Sequence, residues 1–212
     1  MKAHYPLLFL ALTAPLALLA RAPGSAGSAG GDGGAIPAGP SADQATTSKL
    51  VYGLLSDSRY AYRPRALDDA LSADIFKRYL EALDGSKLFF TAQDVAKFAP
   101  YTSTLDDAIK SGNMEPAYAI FAMYKQRVDE RSTYARNLLK QNIFDFAGND
   151  RWYYDREDAP WASDSAALDA LWKQSVRNDW LRLKLAGKKP DEIRKTLDKR
   201  YATLESSIAE LN

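Results

Sequence analysis

Cysteine is absent from the 212 residues, and histidine occurs once, at His4. A chain without thiols has no disulfide, thiolate nucleophile, iron–sulfur cluster or cysteine-bound zinc. His4 lies in a leader-like segment, so the processed chain has no imidazole to act as base or ligand. That removes most hydrolytic triads and most transition-metal sites. A charge excess is lacking too: 28 Lys and Arg face 27 Asp and Glu, and losing a leader with Lys2 and Arg21 leaves about −1. Nothing in that balance draws the protein to nucleic acid or anionic lipid. Strand signals are scarce, with no sustained alternation of Val, Ile and Thr and no Asn-Gly or Asp-Gly hairpin turn.

What is present is a soluble, globular composition, 46% hydrophobic and 11% aromatic. Lys2 precedes the apolar run Leu7 to Ala20, too short for the roughly 20 residues of a bilayer span and suited to a secretory leader. Residues 1–22 are therefore expected to be a signal peptide. Ala20-Arg-Ala22 supplies a small-x-small cleavage site, and Ala26 and Ala29 are alternatives, because Pro23 is awkward at the cut. No cysteine stands at the boundary for lipid attachment, so release after export, without stable membrane insertion, is expected. Residues 23–42 are mostly Gly, Ala, Ser and Pro, which bury too little apolar surface to offset chain entropy, and are expected to be a flexible spacer. Residues 43–212 remain for one folded domain.

In that domain helix signals recur. A first segment, Asp43 to Ser56, carries Leu50, Val51, Leu54 and Leu55 on one side. A second, Asp68 to Leu83, places Leu71, Ile75, Phe76, Tyr79, Leu80 and Leu83 at three- and four-residue steps and stops at Asp84-Gly85. Thr91 with Asp94, and Ser103 with Asp106, predict capping boxes for two short helices ending before Pro100 and at Gly112. The longest helix starts at Glu115-Pro116 and reaches about Lys140. Its stripe of Phe121, Tyr124, Val128, Ala135 and Leu138 is interrupted by Arg131, while Lys125, Arg127, Asp129 and Glu130 are expected to face water. A non-periodic aromatic loop, Phe144 to Trp161, follows. A sixth helix, Ser165 to Ala186, ends before Gly187. The last begins at Pro190, and Ile193, Leu197, Tyr201, Leu204, Ile208 and Leu211 keep register along it. The expected fold is all-α, an irregular bundle of about seven helices with an ordered aromatic loop. The last stripe has no evident stop signal, so that face is expected to continue into a longer protein or to dock on another subunit.

Candidate chemistry is sparse. Asp150, Asp155, Glu157 and Asp158 lack the ligand spacing and central glycine of an EF-hand and are expected to be solvated loop charges or caps. Asp68-Asp69 and Asp106-Asp107 sit at helix starts, where carboxylates complement the dipole. No Ser-x-x-Lys occurs, and Ser48-Lys49 and Ser86-Lys87 put neighbours on different helix faces, unsuited to a proton relay. The run Arg59-Tyr60-Ala-Tyr62-Arg63-Pro-Arg65 interleaves cations and rings as single-strand binders do, but it is one short run and is expected to be a link with packed tyrosines. No catalytic residue, cofactor, metal or nucleic-acid partner is expected. Trp152, Tyr153, Tyr154 and Trp161 either form a binding platform or close over their own core.

Motif order then carries a resemblance. Asp145-Phe-Ala-Gly-Asn-Asp150, Asp155-Arg156, Ala159-Pro160-Trp161, Leu171-Trp172, Leu181-Arg-Leu-Lys-Leu-Ala-Gly-Lys188, Glu192-Ile193 and Lys199-Arg200-Tyr201, with Phe76-Lys-Arg-Tyr79-Leu80, Leu83-Asp84, Phe89-Phe90, Gln93-Asp-Val95 and Phe98, resemble the N-terminal domain of tail-specific, carboxy-terminal-processing proteases. The likeness runs from Thr46 to Leu211. It implies an exported envelope protein whose relatives are serine proteases with a Ser–Lys dyad, a PDZ domain that recognises apolar C-termini, and in some cases a lipoprotein adaptor. The PDZ and protease domains would follow this region, and no position here matches the dyad. The implied partners are the protease and PDZ domains, the adaptor and envelope protein substrates. Trp152, Tyr153, Tyr154 and Trp161 of the loop, and Ile193, Leu197, Tyr201 and Leu204 of the last helix, become candidate contact residues by position. The alternatives are a fragment of an intact Ser–Lys endopeptidase and a stand-alone periplasmic scaffold.

Overall fold

Helix starts in the computed structural model, which describes residues 40–61, 66–141 and 144–210, are set largely by side-chain caps. The leader, most of the spacer, Tyr62 to Arg65 and Leu211 lie outside the described residues. Helix α1, Ala42–Ser56, opens with a capping box in which Ser41 Oγ accepts from the Gln44 amide and Gln44 Oε1 accepts from the Ser41 amide. In α2, Asp69–Asp84, the first turn is capped by Asp68, which accepts from the Leu71 amide at 2.9 Å. The Thr91–Asp94 box opens α3, Ala92–Phe98, as its spacing predicts.

The second predicted box does not form. Ser103 lies instead in a 3-10 turn over Ala99–Ser103, and α4, Leu105–Ser111, begins after Thr104 without a side-chain cap of its own. The missing acceptor comes from another helix, because Ser72 Oγ of α2 accepts from the Leu105 amide at 3.0 Å. Helix α5 spans Glu115–Gln141, α6 Ser165–Leu185 and α7 Pro190–Ala209. Gly187, at φ +82°, follows the end of α6, a left-handed position that a residue with a Cβ resists. Among the described residues there are seven α-helices and no strand, and Thr91 and Ala162 form an isolated parallel bridge.

Two apolar clusters lie along α5. One joins Ala135, Leu138 and Leu139 to Leu168, Trp172, Val176 and Trp180 of α6 and to Ile193, Leu197 and Tyr201 of α7. The other joins Ile120, Tyr124 and Val128 to Phe76 and Leu80 of α2, with Phe90, Phe98 and Leu105. Phe89 packs against both and meets the ring of Tyr124 at 5.4 Å and that of Trp172 at 5.7 Å.

Charged groups cross-brace these clusters where the sequence pattern pointed to solvent. Arg127, expected to face water, has a side chain only 16% exposed and grips the fully buried Asp94 through Nε at 2.9 Å and Nη2 at 2.8 Å. Burial alone would raise the Asp94 pKa, but hydrogen bonds from Arg127 and Thr91 outweigh it and hold the carboxyl down to about 2. The pair fixes α3 to α5, and its two-pronged geometry is specific to a guanidinium. Arg131, the interruption in the α5 stripe, is itself buried and pairs with Asp169 of α6.

Candidate contact surfaces

The aromatic loop between α5 and α6 is tied down along its length. Asp150 pairs with Arg177 of α6, and Tyr154 donates to Asn178 Oδ1 at 3.1 Å. Cations stack on its rings: Lys184 lies 5.0 Å from the Phe146 centroid, Arg156 5.8 Å from Trp152 and Arg182 5.7 Å from Tyr154. Arg156 Nε donates to the Ser86 carbonyl at 3.1 Å, and the Ala92 amide donates to the Ala162 carbonyl at 2.8 Å, so the loop also binds the turn between α2 and α3.

That anchoring divides the loop's four candidate residues. Trp161 is half-buried against the second cluster, its ring 6.0 Å from Phe90 and covered by Lys87 Nζ at 4.4 Å. It closes over its own core. Trp152 is half-buried beside a cavity of about 110 Å³ lined by Phe146, Asp150, Arg151, Trp152, Gln174 and Arg177. Small-molecule sites usually measure about 300–1,000 Å³, so this cavity suits at most a single side chain. Tyr153 and Tyr154 stand out, 66% and 63% exposed. Rigid rings held clear of the core are low-entropy contact groups.

The α7 candidates are corrected by their surroundings. Ile193 and Leu197 are fully buried and Tyr201 nearly so, packed among residues of α5 and α6. Only Leu204 is half-buried, touching both clusters. The periodic stripe is real, but α5 and α6 already cover it, so these three side chains form no open surface. Burial also raises the Tyr201 pKa, with the neighbouring Asp179 adding to the shift.

Two features escape the sequence reading. Asp84, read as a helix stop, is buried and accepts from the Leu88, Phe89 and Phe90 amides at 2.7, 2.9 and 2.9 Å. Burial raises its pKa to about 6 against the opposing pull of those amides and Lys87. The carboxyl shapes the turn that aims Phe89 and Phe90 inward; an Asp before an aromatic pair was the available signal. The second is the exposure of the α1 stripe, which the periodicity identified but did not orient: Leu50, Val51, Leu54 and Leu55 are 63%, 42%, 54% and 54% exposed. The side resting on α4 is small or polar: Ser48 is the buried residue and donates to the Ile109 carbonyl at 3.0 Å.

Among the described residues, no cluster of three or more His, Asp or Glu side chains is placed to hold a metal ion. No helix there is long and apolar enough to cross a membrane. The architecture thus defines an all-α domain with an anchored Tyr154 beside an exposed Tyr153 and one outward apolar helix face. This chain belongs to the tail-specific protease N-terminal domain family, whose sequence profile matches residues 54–212. It is 35% identical over 167 residues to the Tail-specific protease of Haemophilus influenzae (strain ATCC 51907 / DSM 11121 / KW20 / Rd). The alignment covers 78% of this chain and 24% of that protein, so the chain spans about a quarter of its relative's length.

Proposed function

We propose that this chain acts in the periplasm as the non-catalytic N-terminal module of a tail-specific protease, docking to the protease body, an adaptor or substrate proteins during C-terminal processing. The observation that carries this reading is the domain match over residues 54–212. Tyr153 and Tyr154 support a contact role, since rings mounted on a braced loop lose little freedom on binding. The leader-like residues 1–22 support export. In this reading peptide cleavage belongs to the other three quarters of the protease, and this module contributes position and contact.

The test has two readouts. The exported, processed chain, incubated with a peptide ending in apolar residues, is expected to leave it intact; turnover abolished by one Ser or Lys substitution would overturn the non-catalytic assignment. A photo-crosslinking residue at Tyr153 is expected to capture protease, adaptor or substrate in periplasmic extracts, identified by mass spectrometry. Absence of all three among the adducts would count against docking through the loop. Fractionation with N-terminal sequencing of the product checks export.

A further inference from the structure

Helix α1 is inside out relative to the domain that carries it. Its outward face bears Leu50, Val51, Leu54 and Leu55, each 42% to 63% exposed, and Gly53 between them has no atom within 4 Å of where a Cβ would stand. Its inward side is held by modest contacts: Ser48 on the Ile109 carbonyl, and a hydrogen bond between Gln44 and Tyr118 of α5. The approach to α4 is nonetheless close and specific. A Cβ on Gly112, which ends α4 at φ +76°, would lie 2.8 Å from the Ala45 carbonyl oxygen. The domain therefore fixes α1 in place with its leucines pointing away.

Four neighbouring aliphatic side chains in water signal a covered surface. At these exposures they amount to roughly a few hundred Å² of apolar area, well under the ~800 Å² per partner of a stable free-standing complex. A second copy of the chain would thus be held weakly. The same area suffices between parts of one polypeptide, where the tether supplies an effective concentration in the millimolar range. In the aligned relative, 24% of the length corresponds to this chain, so about three quarters of that polypeptide lies outside the matched part.

We propose that Leu50, Val51, Leu54 and Leu55 of α1 dock on an apolar surface of the tail-specific protease polypeptide outside its aligned N-terminal quarter. This rests on the docking function proposed above and names the face used. The cysteine-free sequence permits a direct test. Leu54→Cys, and as a control Asp191→Cys at a side chain 95% exposed, are made in the full chain and in a chimaera where the chain replaces the aligned quarter of the Haemophilus influenzae protease. A site-specific cleavage sequence is placed at the junction. Labelling of the thiol at position 54 is expected to be at least about tenfold slower in the chimaera than in the free chain, with the control thiol at position 191 equal in both. After cleavage the halves are expected to co-elute, and Leu50→Ser with Leu54→Ser to separate them.

If the halves co-elute while the thiol at position 54 labels at the free-chain rate, the α1 assignment falls and docking stands. If they separate and that thiol labels freely, both fall. Concentration-dependent protection of the same thiol in the free chain would assign the face to a second copy instead, and protection by phosphatidylglycerol vesicles would assign it to lipid. Circular dichroism of both free variants, matched to the parent, excludes misfolding as the cause of a changed rate.

Discussion

Helices α1 and α7 carry similar aliphatic stripes and meet opposite fates. In α7, Ile193, Leu197 and Tyr201 disappear between α5 and α6, while in α1, Leu50, Val51, Leu54 and Leu55 remain in solvent. A period of 3.6 states that a helix has an apolar side; it does not state what meets that side. For α7 the neighbours lie immediately upstream in the chain. For α1 the contacts with α4 use its small and polar side, so the leucines face away.

The sharpest way to break this contrast is to shorten one side chain in each helix. Leu197→Ala is expected to cost about 2–5 kcal/mol in urea unfolding, because it leaves a void among fully buried neighbours; a cost below about 1 kcal/mol would mean that α7 is loosely packed. Next in size, Gly112→Ala is expected to cost about 1–3 kcal/mol, from the left-handed backbone and the collision with the Ala45 carbonyl. It should raise hydrogen exchange in α1 and leave α7 protected. Equal effects on both helices would show that α1 is integral to the α5–α7 core.

A smaller, pH-dependent effect comes from Asp84, whose folded pKa of about 6 lies above the ordinary 3.8. A group with a raised folded pKa contributes stability that is full below 3.8 and lost as pH rises through about 6. Asp94 is shifted the other way, so its contribution is present above 3.8 and fades as pH falls toward about 2. Between about pH 5 and about pH 7, therefore, Asp84 alone of the two should make urea midpoints fall, and Asp84→Asn should flatten that slope. Because Phe89 links the Asp84 turn to Trp172, whose ring faces Tyr201, the protection of α7 amides, measured relative to their intrinsic exchange rates, should follow pH while that of α1 amides does not. The smallest change belongs to Leu54→Ser, expected within about 0.5 kcal/mol of the parent in the isolated chain.

Periodicity and punctuation made most of the fold legible. Pro190 opens α7, the Thr91–Asp94 box opens α3, Gly187 closes α6, and the loop from Phe144 onward is non-helical as its Gly, Asn and Pro content predicts. What stayed hidden required partners distant in sequence. Arg127 resembles a solvated helix charge until α3 brings Asp94 to it, and α4 takes its missing cap from Ser72, 33 residues away. The candidate contact residues divide for the same reason. Tyr153 and Tyr154 stand on a loop that Asp150 and Tyr154 hold against α6, whereas Ile193, Leu197 and Tyr201 are enclosed by helices whose arrangement no local pattern encodes.

The 27 residues of α5 make a rod roughly 40 Å long at the usual rise per residue. Each apolar cluster grips one half of it, and Arg127 and Arg131 rivet neighbouring elements near its middle. Melting either end would strip the other of its spine, so heating should give a single calorimetric peak, and force applied at the tyrosine loop would reach the base of α1 as a lever stroke through a stiff beam.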